Sequence, residues 1–154
     1  MSQILYNDED RKIMNAADNG RVTGGSRVEE IKKFVHSMGI KKIGIAHCVM
    51  FTKETQMLID NLSNDFEVVS VGCKIGATPA TQMLGREANG ISCNPAGQAD
   101  FLSENKTELN ISMGLCIGHD IIFNSKSKAL TTTLLIKDRK HKHNTYKNFE
   151  SDNA

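Results

Sequence analysis

Four short apolar runs punctuate the chain, at Lys42–His47, 66–72, 109–115 and 130–136, each bounded by polar or glycine-bearing residues. The first of them is continuously apolar rather than alternating, which predicts a strand covered on both faces, as in a parallel sheet. Before and between these runs, apolar positions recur every three or four residues, the helical period. Ile13, Met14, Ala16 and Ala17 predict a short helix over about 8–19. Ser26 followed by Glu29 is a capping-box signature; Ile31, Phe34, Val35 and Met38 then supply an apolar helical face, and Gly39 a left-handed stop. Residues 52–63 predict a helix with Leu58, Ile59 and Leu62 inward, and Asn94 with Pro95 opens another that runs to about Asn105. A short helical stretch after Cys116 ends near Lys126. Residues 74–92 are irregular: Thr78 reads as a cap with Pro79 at the first helical position, giving one turn before Gly85. Beyond Lys137 the chain is polar and is expected to fray.

Strands that alternate with helices indicate an α/β fold, here a three-layer sandwich with helices on both faces of a mostly parallel four-stranded sheet. With the first strand central and right-handed crossovers, the order is 2-1-3-4. The expected organisation is an N-terminal helical extension over 1–25, an α/β domain over 26–138 and a polar C-terminal tail over 139–154.

The cysteines sharpen this picture. Cys48, Cys73 and Cys116 each follow an apolar run, and Cys93 directly precedes the Asn94-Pro95 helix start. Parallel sheets place their chemistry at the carboxyl ends of their strands, so thiols scattered in sequence should meet at one rim. The spacing contains no C-x2-C knuckle, so a zinc finger or ribbon is not indicated. Thiolates from neighbouring strand ends would suit zinc or an iron–sulfur cluster, and the wide dispersion favours the cluster. The alternative is that each cysteine packs as a small buried hydrophobe.

Composition excludes several classes. A chain of 154 residues with 39% apolar and 24% charged residues matches a globular domain, and its net charge of +1 without a basic stripe argues against a nucleic-acid surface. No apolar stretch approaches membrane-spanning length, and the acidic N-terminus lacks a signal-peptide core. A cytoplasmic location follows, where thiols stay reduced and four cysteines point to metal or catalysis rather than disulfides.

Other candidates surround the thiols in sequence. His119 and Asp120 follow Cys116 and suit ligation, proton transfer or a supporting hydrogen bond, or else a rim imidazole and a helix cap. Lys74, next to Cys73, could offset thiolate charge or simply be solvated, and Arg139 in Lys137-Asp138-Arg139 could hold an anion or form a surface ion pair. His47 should point away from Cys48 by strand alternation, and His36 falls on the polar side of its helix. His141 and His143 suggest metal affinity or simply a soluble tail. Gly20-Arg21-Val22-Thr23-Gly24-Gly25 precedes a helix but follows no strand, so it lacks the context of a phosphate loop.

The strings Lys41-Lys42-Ile43-Gly44-Ile45-Ala46-His47-Cys48, Phe66-Glu67-Val68-Val69-Ser70-Val71-Gly72-Cys73-Lys74, Cys93-Asn94-Pro95, Gly114-Leu115-Cys116-Ile117-Gly118-His119-Asp120 and Thr131 to Arg139 are together distinctive. Over about 26–144 the chain resembles a family of uncharacterised metal-binding proteins defined as a domain of unknown function (DUF 1847 type). The resemblance implies that Cys48, Cys73, Cys93 and Cys116 correspond to family cysteines, His119 and Asp120 to its following pair, and His143-Asn144 to a His-Asn near its end. It implies a small cytoplasmic protein, common in anaerobes, that binds metal through cysteine, with no established reaction. The chain departs from the pattern in having no cysteine before Cys48, Gly72 where a second cysteine is frequent, and Thr145 in place of proline.

Three functions remain open from sequence. The first is a cysteine-ligated iron–sulfur cluster, or zinc, at the sheet's carboxyl edge, with a redox role and a redox partner protein or small-molecule ligand. The second is a metal-free thiol enzyme with Cys48 or Cys116 as nucleophile and His119 as base. The third is a flavodoxin-shaped small-ligand module whose cysteines only pack.

Overall fold

The computed structural model describes residues 5–151. The chain divides into two compact units, one ending at Lys41 and the other beginning at Lys42.

The first unit is a helix pair, α1 (Asp8–Gly20) and α2 (Arg27–Met38). Both start with a reciprocal capping box. In α2 the Ser26 hydroxyl accepts from the Glu29 amide at 3.2 Å, and the Glu29 carboxylate accepts from the Ser26 amide at 2.6 Å. Two backbone donors that the helix itself cannot satisfy are thereby paired. Gly39 stops α2 at φ 73°, a left-handed geometry that costs glycine nothing. The buried face of α1 is narrower than its apolar pattern suggests: Ala16 and Gly20 are buried, while Met14 and Ala17 stay exposed. Small residues four apart let α1 approach α2 closely. A Cβ at Gly20 would lie 3.1 Å from the Phe34 backbone nitrogen.

The second unit is α/β. Its strands are β1 (Lys42–His47), β2 (Glu67–Gly72), β3 (Leu109–Met113) and β4 (Leu130–Leu135). They form an all-parallel sheet in the order β2-β1-β3-β4, with Ile45 level with Ser70 on one side and Ile111 on the other. The central strands β1 and β3 are almost wholly buried, including the polar Asn110 and Ser112 of β3, and the edge strand β4 is half-buried. α3 (Thr52–Leu62) packs on β1 and β2. α5 (Pro95–Glu104) and α6 (His119–Lys126) pack together on the other face, where Ala46, Val71, Ala99, Leu102 and Phe123 form one apolar cluster. Leu102 and Phe123 are completely buried, and each such side chain contributes about 1.5–3 kcal/mol by leaving water.

Three details depart from the sequence reading. β3 ends at Met113, because Gly114 turns left-handed at φ 65°, so Cys116 lies on a turn beyond the strand. Pro79 is the cap of α4 (Ala80–Leu84), not its first residue, because it also makes an antiparallel bridge with Ile91 that holds the 74–92 segment together. The segment after Lys137 is folded around Asp138. Its carboxylate accepts from the His141 amide and ring Nδ1 and from the Asn148 amide group at 2.6 Å, and its carbonyl accepts from the His143 amide. A one-turn 3-10 helix, Thr145–Phe149, closes that strap. Among the described residues no helix is long and apolar enough to cross a membrane.

Candidate thiol site at the carboxyl edge of the sheet

The parallel register brings the ends of β1 and β2 level, so the residues that leave them, Cys48 and Cys73, are neighbours. The Cys48 amide donates to the Met113 carbonyl at 3.1 Å, which extends the β1–β3 ladder by one bond and holds Cys48 at the sheet edge. Cys93 reaches the same place from the far end of the irregular segment, because the next amide, that of Asn94, donates to the Cys73 carbonyl at 2.7 Å. Asn94 also caps α5 by accepting from the Gly97 amide. All four cysteines are free thiols; Cys48 and Cys73 are only 6% and 2% exposed.

Three of the thiols pack together: Cys48 and Cys73 share one buried cluster, and Cys93 lies against it. From Cys48 the connection to Cys116 runs through Lys137, whose ammonium donates to Cys48 Sγ at 2.9 Å and to Cys116 Sγ at 3.3 Å. Arg139 approaches Cys116 Sγ at 3.7 Å. Among the described residues no three His, Cys, Asp or Glu side chains stand together as a group able to hold a metal ion. The sulfurs thus follow one another through contacts along the rim instead of closing on one point.

Electrostatics divide the four. Burial pushes the Cys48 thiol up, but the Lys137 ammonium and the Met50 amide outweigh it and hold the thiol below its ordinary value. Burial also pushes Cys73 up; the Val49 amide, 3.4 Å from its sulfur, opposes this, yet the thiols of Cys93 and Cys48 add to the rise, to about 11. Burial alone would lower the Lys137 value, but its bonds to the two sulfurs raise it. His119 is lowered by burial and then by repulsion from Lys137 and Lys74, against the opposing charge of Asp120.

Supporting side chains complete the rim. Phe51 joins Cys48 and Cys73 in one apolar cluster, with Cys93 and Leu135 packed against it. The His143 ring meets Phe51 edge-on at 4.7 Å, and its Nδ1 accepts from the Asp138 amide at 3.0 Å, so the strap docks on the site. Gly114 makes room for Phe51, because any Cβ there would collide with the ring. Fully buried Gln98 donates its amide to the carbonyls of His47 at 3.1 Å and Val71 at 3.0 Å, tying the ends of β1 and β2 beside the thiols.

Of the residues singled out from sequence, Cys48, Cys73, Cys93, Cys116 and Arg139 meet here. Lys74 instead bonds the Ile91 carbonyl at 2.6 Å and reaches the site only through its charge on His119. His119 bonds no cysteine, and Asp120 accepts from the Ile121 amide. His47 bonds the Cys48 carbonyl, a satisfied buried histidine, and His36 is exposed. His141 serves Asp138. At Gly72 a Cβ would make only ordinary contacts with His47 and Val49. Sequence reasoning missed Lys137, Phe51 and Gln98. A lysine directly after an apolar strand was the only local signal for the first, and none marked the other two.

Comparison with known proteins agrees with the motif pattern. A relative from Methanocaldococcus jannaschii, the uncharacterized protein MJ0455, is 47% identical over 124 residues, which is 78% of this chain and 64% of the relative. The chain therefore spans less than two thirds of that relative's length. The model of a protein family of unknown function (DUF1847) matches residues 1–134, a span that includes all four cysteines. The chain belongs to that family.

Proposed function

We propose that the rim is a cysteine-ligated metal site, held by Cys48, Cys73, Cys93 and Cys116, and that an iron–sulfur cluster suits it better than a single zinc ion. The observation that carries this reading is that Cys48, Cys73 and Cys93, free thiols from three separate segments, pack together at the sheet's carboxyl edge, with Lys137 joining Cys48 to the free thiol of Cys116. Thiolates are soft donors that favour zinc and iron–sulfur clusters over hard cations. One zinc ion needs its ligands gathered at about 2.3 Å around a point, and no such group exists among the described residues. A cluster presents a different metal corner to each thiolate, so it suits sulfurs spread along a rim. A bound cluster would supply electron transfer, and Phe51, which packs on Cys48 and Cys73, and the strap docked on Phe51 through His143 would shield it from solvent. A reducing cytoplasmic setting and a protein redox partner accompany this reading.

Anaerobic purification and reconstitution, followed by iron, sulfide and zinc analysis and visible absorption, tests it. Iron with stoichiometric sulfide and a thiolate-to-iron absorption band is expected. Colourless protein with neither iron nor zinc would overturn the assignment.

A second reading has one observation in its favour. The Lys137 ammonium on Cys48 is the kind of neighbour that activates a thiol nucleophile in a metal-free enzyme. The base in such a site would not be His119, which bonds no cysteine here. An electrophilic probe that labels Cys48 stoichiometrically, in protein shown to be metal-free as isolated, would favour this reading.

A further inference from the structure

Lys137 occupies a place that neither a ligand nor a solvated surface lysine would take. It lies just past the end of β4, next to β3 in the sheet, and the Gly114 amide bonds the Leu135 carbonyl at 2.7 Å to keep the two strand ends level. From there the side chain reaches the sulfur leaving β1 at 2.9 Å and the sulfur beyond β3 at 3.3 Å, with the Phe51 ring centre 5.9 Å from its nitrogen. An ammonium has three donors and no lone pair, so it binds the outside of thiolate ligands and never replaces one. Arg139 adds a second cation on Cys116 at 3.7 Å.

We propose that Lys137 is the charge-balancing positioning residue of the thiol site, donating to the Cys48 and Cys116 sulfurs so that the rim retains an anionic tetrathiolate assembly. This rests on the metal reading above. Four thiolates around a doubly charged metal ion or cluster core leave two negative charges in a largely buried place, which is costly unless paired. Lys137 and Arg139 supply two positive charges where the Cys48 and Cys116 sulfurs accept hydrogen bonds. Lys137 is the stronger of the pair, because it engages two sulfurs at shorter range. Outer partners of metal ligands typically govern retention by about 10–100-fold. Hydrogen bonds and positive charge on cluster sulfurs also favour the reduced form.

The test compares full-length wild type with Lys137→Met, Lys137→Arg and Arg139→Met. Cluster retention is read as the loss of visible absorption when iron–sulfur-reconstituted protein is challenged with an iron(II) chelator, and the midpoint potential is read on the same protein. Lys137→Met should lose its cluster about 10–100-fold more readily and shift the cluster potential negative. Lys137→Arg should recover most of both effects, and Arg139→Met should produce a smaller change of the same sign. Thermal unfolding of the metal-free variants separates a folding defect from a charge effect, since a purely structural role would not move the potential in a folded protein. Wild type that takes up a cluster and a Lys137→Met variant that matches it in retention and potential would overturn this inference alone. Wild type that takes up neither zinc nor a cluster would overturn the metal reading and this inference with it.

Discussion

The two halves of the thiol rim use the same residue for opposite ends. On one side Cys48 and Cys116 face cations, with Lys137 bridging both sulfurs and Arg139 behind one of them. On the other, Cys73 and Cys93 face each other and the backbone, with no side-chain cation bonded to either sulfur among the described residues. The consequence is that Cys48 is held below its ordinary value, whereas Cys73 rises to about 11. Burial acts in the same direction on both, so the difference comes from the neighbours. Proximity to a strand end makes a cysteine available; the cation beside it decides its charge.

The harshest way to break this contrast is at Gly114. Replacing it with Ala puts a side chain on a left-handed residue and drives it into the Phe51 ring, which packs against Cys48 and Cys73. A loss of about 2–4 kcal/mol in unfolding free energy is expected by denaturant titration. The cation-facing half should be disordered first, seen as loss of the preferential reactivity of Cys48.

A smaller effect follows at Gln98, which holds the strand ends leading into both halves. Gln98→Leu removes two buried hydrogen bonds and should cost about 1–2 kcal/mol. The same unfolding measurement checks it, and a loss well below that range would show that the strand ends hold their places unaided.

Thiol reactivity reads the contrast directly. At pH 8 in metal-free protein, Cys48, held below its ordinary value, carries more thiolate than Cys73, raised to about 11, and should react faster although its intrinsic nucleophilicity is lower. Peptide mapping after brief iodoacetamide exposure should find Cys48 labelled first. Lys137→Met should shrink that lead, and equal labelling in wild type would remove the electrostatic distinction.

The mildest effect concerns the strap over the site. Bonds from His141 and Asn148 hold the Asp138 carboxyl at about 2, below its ordinary 3.8. A depressed folded value means that the carboxylate stabilises the strap above about pH 3.8, and that this support is lost as pH falls towards 2. Amide exchange at His141 and His143 should accelerate across that window, and Asp138→Asn should flatten the dependence.

Much of this architecture was legible in the chain, and the reasons differ by element. The capping box at Ser26, the stop at Gly39 and the extent of β1 depend on interactions within a few residues, so local pattern suffices for them. Apolar runs separated by helices constrained the sheet to its observed order, and strand ends located Cys48 and Cys73. The end of β3 was misjudged because Leu115 is buried although it lies past the strand. The strap was read as a loose tail because polar composition does not reveal that one carboxylate, Asp138, collects bonds from residues three and ten positions away.

The order of secondary structure and the placement of Cys48 and Cys73 at strand termini were determined by sequence alone, because hydrophobic periodicity acts over neighbouring residues. Lys137 between two sulfurs, Phe51 seated on Gly114 and Gln98 across two strand ends were decided only in three dimensions. Lys137 and Cys48 lie 89 residues apart, and Gln98 and His47 lie 51 apart. Whether such pairs meet depends on which strands adjoin, at what register, and towards which face each side chain projects. Those quantities exist only once the sheet has assembled.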